Sequence, residues 1–207
     1  LLLTNGLINT NPDAPYNYGT FTITNSSINC VIPEGGSSSS FVNGPLVNKI
    51  IQGDNFRFPI GIYKSGIGNI AGNKLKLASS KTGTILWSAQ YRNPNATFAS
   101  FTSPLHGVSS KEYWTVKANA GSKAVININW DDDSDITPLV TTNGISDMCI
   151  ADYNTSGSSW VHLTSTATGD DYAGTVSTTG FFTSTGNDDF TLGSLTDLRP
   201  KAKFDPL

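Results

Sequence analysis

Four residue types are almost missing from this 207-residue sequence: it has two Glu, two His, two Cys and one Met. Each scarcity removes a class of function. With Glu34 and Glu112 as the whole glutamate complement, a catalytic pair of carboxylates would have to draw on Asp. His106 and His162 join no nucleophile motif, and there is no G-x-S-x-G elbow, H-E-x-x-H helix or glycine-rich phosphate loop. No C-x-x-C or Cys/His spacing suits structural zinc. Charge is scarce as well. Only 14% of residues are Asp, Glu, Lys or Arg, and 13 basic against 16 acidic side chains leave a net charge of −3. That is the wrong sign for neutralising phosphates, so nucleic acid is not the expected partner. No apolar run approaches the ~20 residues that span a bilayer as a helix, so membrane insertion is not expected either.

Solubility instead comes from Ser, Thr, Asn and Gly, a composition that favours turns and strands over helices. The chain reads as apolar-alternating segments of strand length separated by Gly, Asn, Asp or Pro. Strands are predicted at 56–63, 74–79, 85–91, 113–117, 124–130, 148–153, 160–163, 173–176 and 189–192. The alternation is cleanest from Ile126 to Trp130, as in a strand with one dry face. No stretch sustains a helical period. Many short strands with turn signals between them predict an all-β fold, an antiparallel β-sandwich of jelly-roll or Ig-like type. Before it, 1–38 holds short strand-like pieces around Asn-Gly and Asn-Ser, the texture of a short β-solenoid-like segment. The boundary is placed near Pro33-Glu-Gly-Gly-Ser-Ser-Ser-Ser40, a flexible connector by composition. The sandwich is expected over 39–195, and 196–207, with two prolines and two lysines, as a tail or linker.

Laid out in order, several motifs resemble the large β-sandwich modules of secreted and cell-surface proteins of Bacteroidetes, the cargo of the type IX secretion system. They are Ser39-Ser-Phe-Val-Asn-Gly-Pro45, Phe56-Arg-Phe-Pro-Ile-Gly61 with Ile62-Tyr63, and Ser109-Ser-Lys-Glu-Tyr-Trp114. Asn129-Trp-Asp131, Ile150-Ala-Asp-Tyr-Asn154, Trp160-Val-His-Leu163 and Phe190-Thr-Leu-Gly-Ser194 follow, and the Leu-rich element near residue 3 is similar to what precedes such modules. The resemblance implies export to the outer face of a Gram-negative outer membrane. It also implies a role in surface display, adhesion or assembly, with other chains or domains of a surface assembly, secretion-system components or a surface glycan as partners. A sorting domain normally follows the last motif in that family. The short remainder here fits its removal at the cell surface, or a piece of a larger protein.

Three constellations invite chemistry. Asp131, Asp132, Asp133 and Asp135, with Ser134 among them, form an oxygen-rich loop after a strand. Such a loop suits Ca²⁺, although the EF-hand Gly and Glu are absent, and it equally suits a solvated loop of Asx-turns. Asp170-Asp171 and Asp188-Asp189 offer the same two readings. Trp160, Tyr153 and Tyr172 lie near the Asp-rich loops and could form an aromatic platform for a glycan, the other reading being core packing. Cys30 and Cys149 could close a disulfide in an oxidising compartment or remain buried thiols. Glu112 reads as a buried hydrogen-bond partner and His162 as a half-exposed sheet residue. Asn25, Asn95 and Asn154 match the N-glycosylation sequon, which a bacterial source would normally leave unused. The expected function is a non-catalytic surface module for adhesion or assembly. The alternative is a carbohydrate-binding accessory domain of a secreted polysaccharide-degrading protein.

Overall fold

The structure, a computed structural model, describes residues 1–10, 19–27, 29–64, 68–72, 75–79, 84–141 and 143–195. Its regular elements are β-strands and three short 3-10 turns, so the chain is nearly all β, with several sheets. Among the described residues no helix is long and apolar enough to cross a membrane. The tail expected at 196–207 and the first residue of the strand expected at 74–79 lie outside the described residues.

The strands are β1 (Ile8–Asn9), β2 (Phe21–Ile23), β3 (Val42–Asn43), β4 (Leu46–Ile51), β5 (Asn55–Arg57), β6 (Ile60–Lys64), β7 (Gly68–Ala71), β8 (Leu75–Ser79) and β9 (Thr84–Arg92). They continue as β10 (Leu105–Val108), β11 (Tyr113–Lys117), β12 (Lys123–Trp130), β13 (Met148–Asn154), β14 (Ser159–Leu163), β15 (Ser165–Gly169), β16 (Gly174–Thr178), β17 (Phe182–Thr183) and β18 (Asn187–Leu195). The largest sheet runs β14-β13-β18-β11-β9-β4-β2, with β10 also paired to β18. A second runs β15-β16-β12-β8-β5 with β17 on β12, and a third runs β1-β3-β6-β7. Pairing is antiparallel throughout except at β1 with β3, β3 with β6 and β2 with β4.

Alternation decides which faces meet. Along β12 the side chains of Ala124, Ile126, Ile128 and Trp130 are buried while those between them are partly or fully exposed, the period-two pattern of a strand with one dry face. The same parity on β9 and β11 buries Trp87, Ala89, Tyr91, Trp114 and Val116. All nine belong to one apolar cluster with Leu75, Leu77, Ile150, Phe190 and Leu192. Each fully buried tryptophan removes roughly 150–250 Å² from water, about 4–6 kcal/mol at ~25 cal/mol per Å² and an upper bound because unfolded chains are partly collapsed. A smaller cluster lies on the opposite face of the large sheet, where the chain through β10 covers Cys149, Ala151 and Trp160.

The single strand expected at 56–63 is two, belonging to different sheets. Pro59 has no N–H for a ladder, and the chain turns there, with Ile60 N donating to Phe58 O at 2.9 Å. The segment 1–38 shares the main core through Leu3, Ile23, Cys30 and Val31. The expected flexible connector is folded into turns. Gly35 and Gly36 take φ of 75° and 73°, Gly36 N donates to Pro33 O at 2.9 Å, and Glu34 faces Lys76 Nζ at 3.4 Å. A pair of glycines in sequence marks conformational freedom in the unfolded chain; here that freedom is used to reach left-handed backbone.

Two substitutions test how the rings are seated. A Cβ on Gly174 would lie 2.0 Å from Trp130 Cζ2, so Gly174→Ala is expected to cost about 1–3 kcal/mol in urea unfolding. Trp114 Nε1 donates to Gly72 O at 2.9 Å, whereas Trp87 Nε1 has no hydrogen-bond partner among the described residues. Trp114→Phe should therefore destabilise more than Trp87→Phe, by about 1–3 kcal/mol; equal losses would contradict this packing.

Candidate functional site

Two loops meet at one end of the β12–β16 pair because Trp130 and Gly174 lie opposite each other in the ladder. The first loop is a 3-10 turn, Asp132–Ser134, capped by Asp131. Its Oδ1 accepts from Asp133 N at 3.1 Å, while Ser134 Oγ accepts from Asp131 N at 3.3 Å. Asp135 closes the turn in left-handed backbone, φ 48°, and faces Lys111 Nζ at 3.4 Å. The second loop joins β15 to β16. Asp170 Oδ1 accepts from Tyr172 N and Ala173 N, both at 2.9 Å, and Trp130 Nε1 donates to Asp170 O at 2.9 Å. The two backbone N–H groups, of Ala173 and then Tyr172, hold the Asp170 carboxyl below its usual value. Between the loops lies an open cleft of about 270 Å³, lined by Asp131, Asp132, Asp135, Asp171, Tyr172 and neighbouring apolar and hydroxyl groups. Tyr172 stands 73% exposed beside it. Among the described residues no group of three or more His, Cys, Asp or Glu is placed to hold a metal ion.

The aromatic platform does not form. Trp160 is 1% exposed and sits in the smaller cluster. Its backbone N donates to Ser100 O at 2.7 Å, and its Nε1 donates to Thr97 Oγ1 at 3.2 Å. Tyr153 packs edge-on against it at 5.1 Å between ring centroids, so both belong to the large sheet while Tyr172 belongs to the loops of the other. The sequence hid this because the covering segment, through Ser100 and Thr102, lies almost sixty residues away. The disulfide is not formed either: Cys30 and Cys149 are free and buried in different clusters. Burial pushes both thiols up, Cys149 to about 12 with Asp147 adding to the effect.

Glu112 is 1% exposed and its Oε2 accepts from the Tyr91 hydroxyl at 3.0 Å. Burial, then the Glu112 charge, pushes the Tyr91 hydroxyl far up, so it stays a donor. His162 is half-buried, and burial lowers its pKa. Asn95 is 1% exposed and its Nδ2 donates to Ser109 O at 2.8 Å, which removes it as a glycan acceptor. Asp188 is 3% exposed and is held by the hydroxyls of Ser184 and Thr185, both at 2.6 Å.

A second concavity has no counterpart in the sequence reading. On the outward face of the large sheet, Ser88, Gln90 and Arg92 of β9 lie beside Thr115 and Lys117 of β11. Gly19, Thr20 and Pro45 wall this floor, enclosing about 530 Å³. Its only sequence trace is the polar parity of the two strands, which by itself reads as an ordinary wet face. Across β11 from Gln90 lies Asp189, opposite Thr115 in the ladder. Burial raises the Asp189 carboxyl above its usual range despite Thr115, Arg92 and Lys117 nearby. Asp152 is pushed up to about 7 by burial, then by Asp188 and Asp189.

No family model matches the chain, and neither the curated proteins nor the solved structures contain a significant match.

The carboxyl of Asp152 makes the pH dependence of stability predictable. Its folded value, about 7, lies above the ordinary value near 3.9, so the folded state holds more protons than the unfolded one between about pH 4 and pH 7. Stability contributed by the neutral carboxyl is present at low pH and is lost as pH rises through that window. Asp152→Asn is expected to be more stable than the parent at pH 8, with a smaller loss between pH 5 and pH 8 in urea unfolding. A parallel pH profile in the two proteins would refute the assignment.

Proposed function

We propose that the chain is a non-catalytic module of a secreted cell-surface protein, a β-sandwich that acts by contact, in adhesion or in building a surface assembly. The ordered motifs from Ser39 to Ser194 support this reading through their resemblance to type IX secretion cargo. So does the placement of the exposed acidic groups, with Asp131, Asp132, Asp133, Asp135, Asp170 and Asp171 gathered between strands at one end of the second sheet. The observation that carries it is the loop pair around Tyr172. An exposed aromatic ring stands among carboxylates on backbone that Trp130, Asp170 and the Asp131 cap hold fixed. A contact surface ordered before binding forfeits less entropy when it binds.

Carbohydrate binding is the second reading, favoured by the same ring, since Tyr172 with Asp171 at its side presents a stacking surface flanked by hydroxyl acceptors. The experiment is binding of the purified chain to immobilised outer-membrane vesicles of a Bacteroidetes bacterium. Tyr172→Ala is expected to weaken binding about tenfold or more, with the melting temperature unchanged because the side chain is solvent-facing. A Tyr172→Ala protein that binds like the parent would sink the loop assignment. Protease treatment of the vesicles abolishes binding if the partner is protein, and periodate oxidation abolishes it if the partner is glycan.

A further inference from the structure

We propose that the 530 Å³ cleft on the outward face of the large sheet binds a linear acidic saccharide, with its carboxylates on Arg92 and Lys117 and its hydroxyls on the floor between them. This site is independent of the Tyr172 loops.

The argument begins with register. Ser88, Gln90 and Arg92 point to one face of β9, and Lys117 and Thr115 stand opposite Ser88 and Gln90 on β11. The two cations therefore lie at diagonal corners of the floor. From Ser88 to Arg92 the strand advances about 13 Å at ~3.3 Å per residue, so Arg92 and Lys117 bracket a strip rather than sharing one point. A single small anion would engage one of them, and an extended ligand with repeated carboxylates would engage both. Between the corners the floor offers hydroxyls and one amide, with Gln90 only 8% exposed. Hydroxyls both give and accept hydrogen bonds, and the amide carries both kinds of site, which is what a string of sugar hydroxyls requires. Among the described residues no aromatic ring lines the cleft, and the one ring there is that of Pro45. The volume is in the range of small-molecule sites, and the walls at Gly19, Thr20 and Pro45 give it sides.

Charge agrees. Arg92 and Lys117 outnumber the neighbouring Asp189, whose carboxyl burial raises against the opposing pull of Thr115, Arg92 and Lys117. Arg92 is half-buried and already engaged with its surroundings, while Lys117 is exposed and available to a ligand.

The test is a two-dimensional NMR titration of the isotope-labelled chain with trigalacturonate and with a hyaluronan tetrasaccharide, both linear and carboxylated. At least one is expected to shift the backbone signals of Ser88, Gln90 and Thr115. Its methyl ester, with the same shape and hydroxyls but no charge, should bind about tenfold more weakly or worse, as should the parent ligand to Lys117→Gln. Lys117 is exposed, so that variant is expected to keep the parent melting temperature. Tyr172→Ala should titrate like the parent protein. The proposal is overturned if neither acid shifts those signals, if the methyl ester binds as tightly as the acid, or if Lys117→Gln leaves the affinity unchanged. Shifts confined to Tyr172 and Asp171 would also overturn it, and would transfer saccharide binding to the loop cleft.

Discussion

Aromatic rings laid directly on glycine backbone fix the strands of this molecule in their relative positions, within a sheet and between sheets. Trp130 covers the space where a Cβ of Gly174 would stand, and the Tyr91 ring does the same at Gly72, with a Cβ there only 2.1 Å from Tyr91 Cγ. Gly72 also receives the Trp114 indole N–H, so one glycine accommodates a ring from β9 and a hydrogen bond from β11. These contacts can form only where side chain and absent side chain coincide across strands far apart in sequence. They turn a non-directional preference for burial into a single arrangement, because interiors are packed too densely for a methyl group to be absorbed unnoticed. The Tyr172 loop inherits its position from this constraint: Trp130 seats against Gly174 and donates to Asp170 two residues before Tyr172.

Where one strand has one wet face, its sequence spelled that out. The alternation from Ile126 to Trp130 located β12, and the runs around Trp87, Trp114, Ile150 and Leu192 located β9, β11, β13 and β18. β4 alternates as well and is nevertheless absent from the predicted strands; other misses had a physical reason. β15, Ser-Thr-Ala-Thr-Gly, has almost no apolar alternation because only Ala167 packs against the core, so nothing in its composition marked it as a strand. The connector glycines looked loose because a sequence does not show whether a left-handed conformation is being demanded. Trp160 looked available because the chain that roofs it comes from residues 100–102. The end-loop cleft was half legible: Asp131, Asp132, Asp135 and Tyr172 were all singled out, but Trp160 and Tyr153 were grouped with them by proximity in sequence. The sheet-face cleft was not legible at all, since it depends on the register of β9 against β11 and on the walls from Gly19 to Pro45.

The Asp-rich character of the chain resolves into three different environments. Asp131 and Asp170 terminate backbone N–H groups in exposed loops, and Asp170 is favoured in its charged form by doing so. Asp188 is enclosed by hydroxyls from the loop that precedes its own strand. Asp152 and Asp189 sit where burial disfavours charge. One residue type thus shapes loops, staples a strand entry and tunes a sheet face, and the difference lies in the donors, the neighbouring charges and the water each carboxylate meets.

β18 occupies the interior of the largest sheet, laddered to β13 on one side and to β11 on the other, with β10 at its far end. Tension drawn along that strand would strain both antiparallel ladders lengthwise and at the same time, so neither could unzip rung by rung ahead of the other. No disulfide shares the strain, since Cys149, on the neighbouring β13, is a free thiol. Mechanical resistance in this molecule is therefore a matter of hydrogen bonds yielding together. A chain pulled at such a strand stretches and closes again with every covalent bond intact.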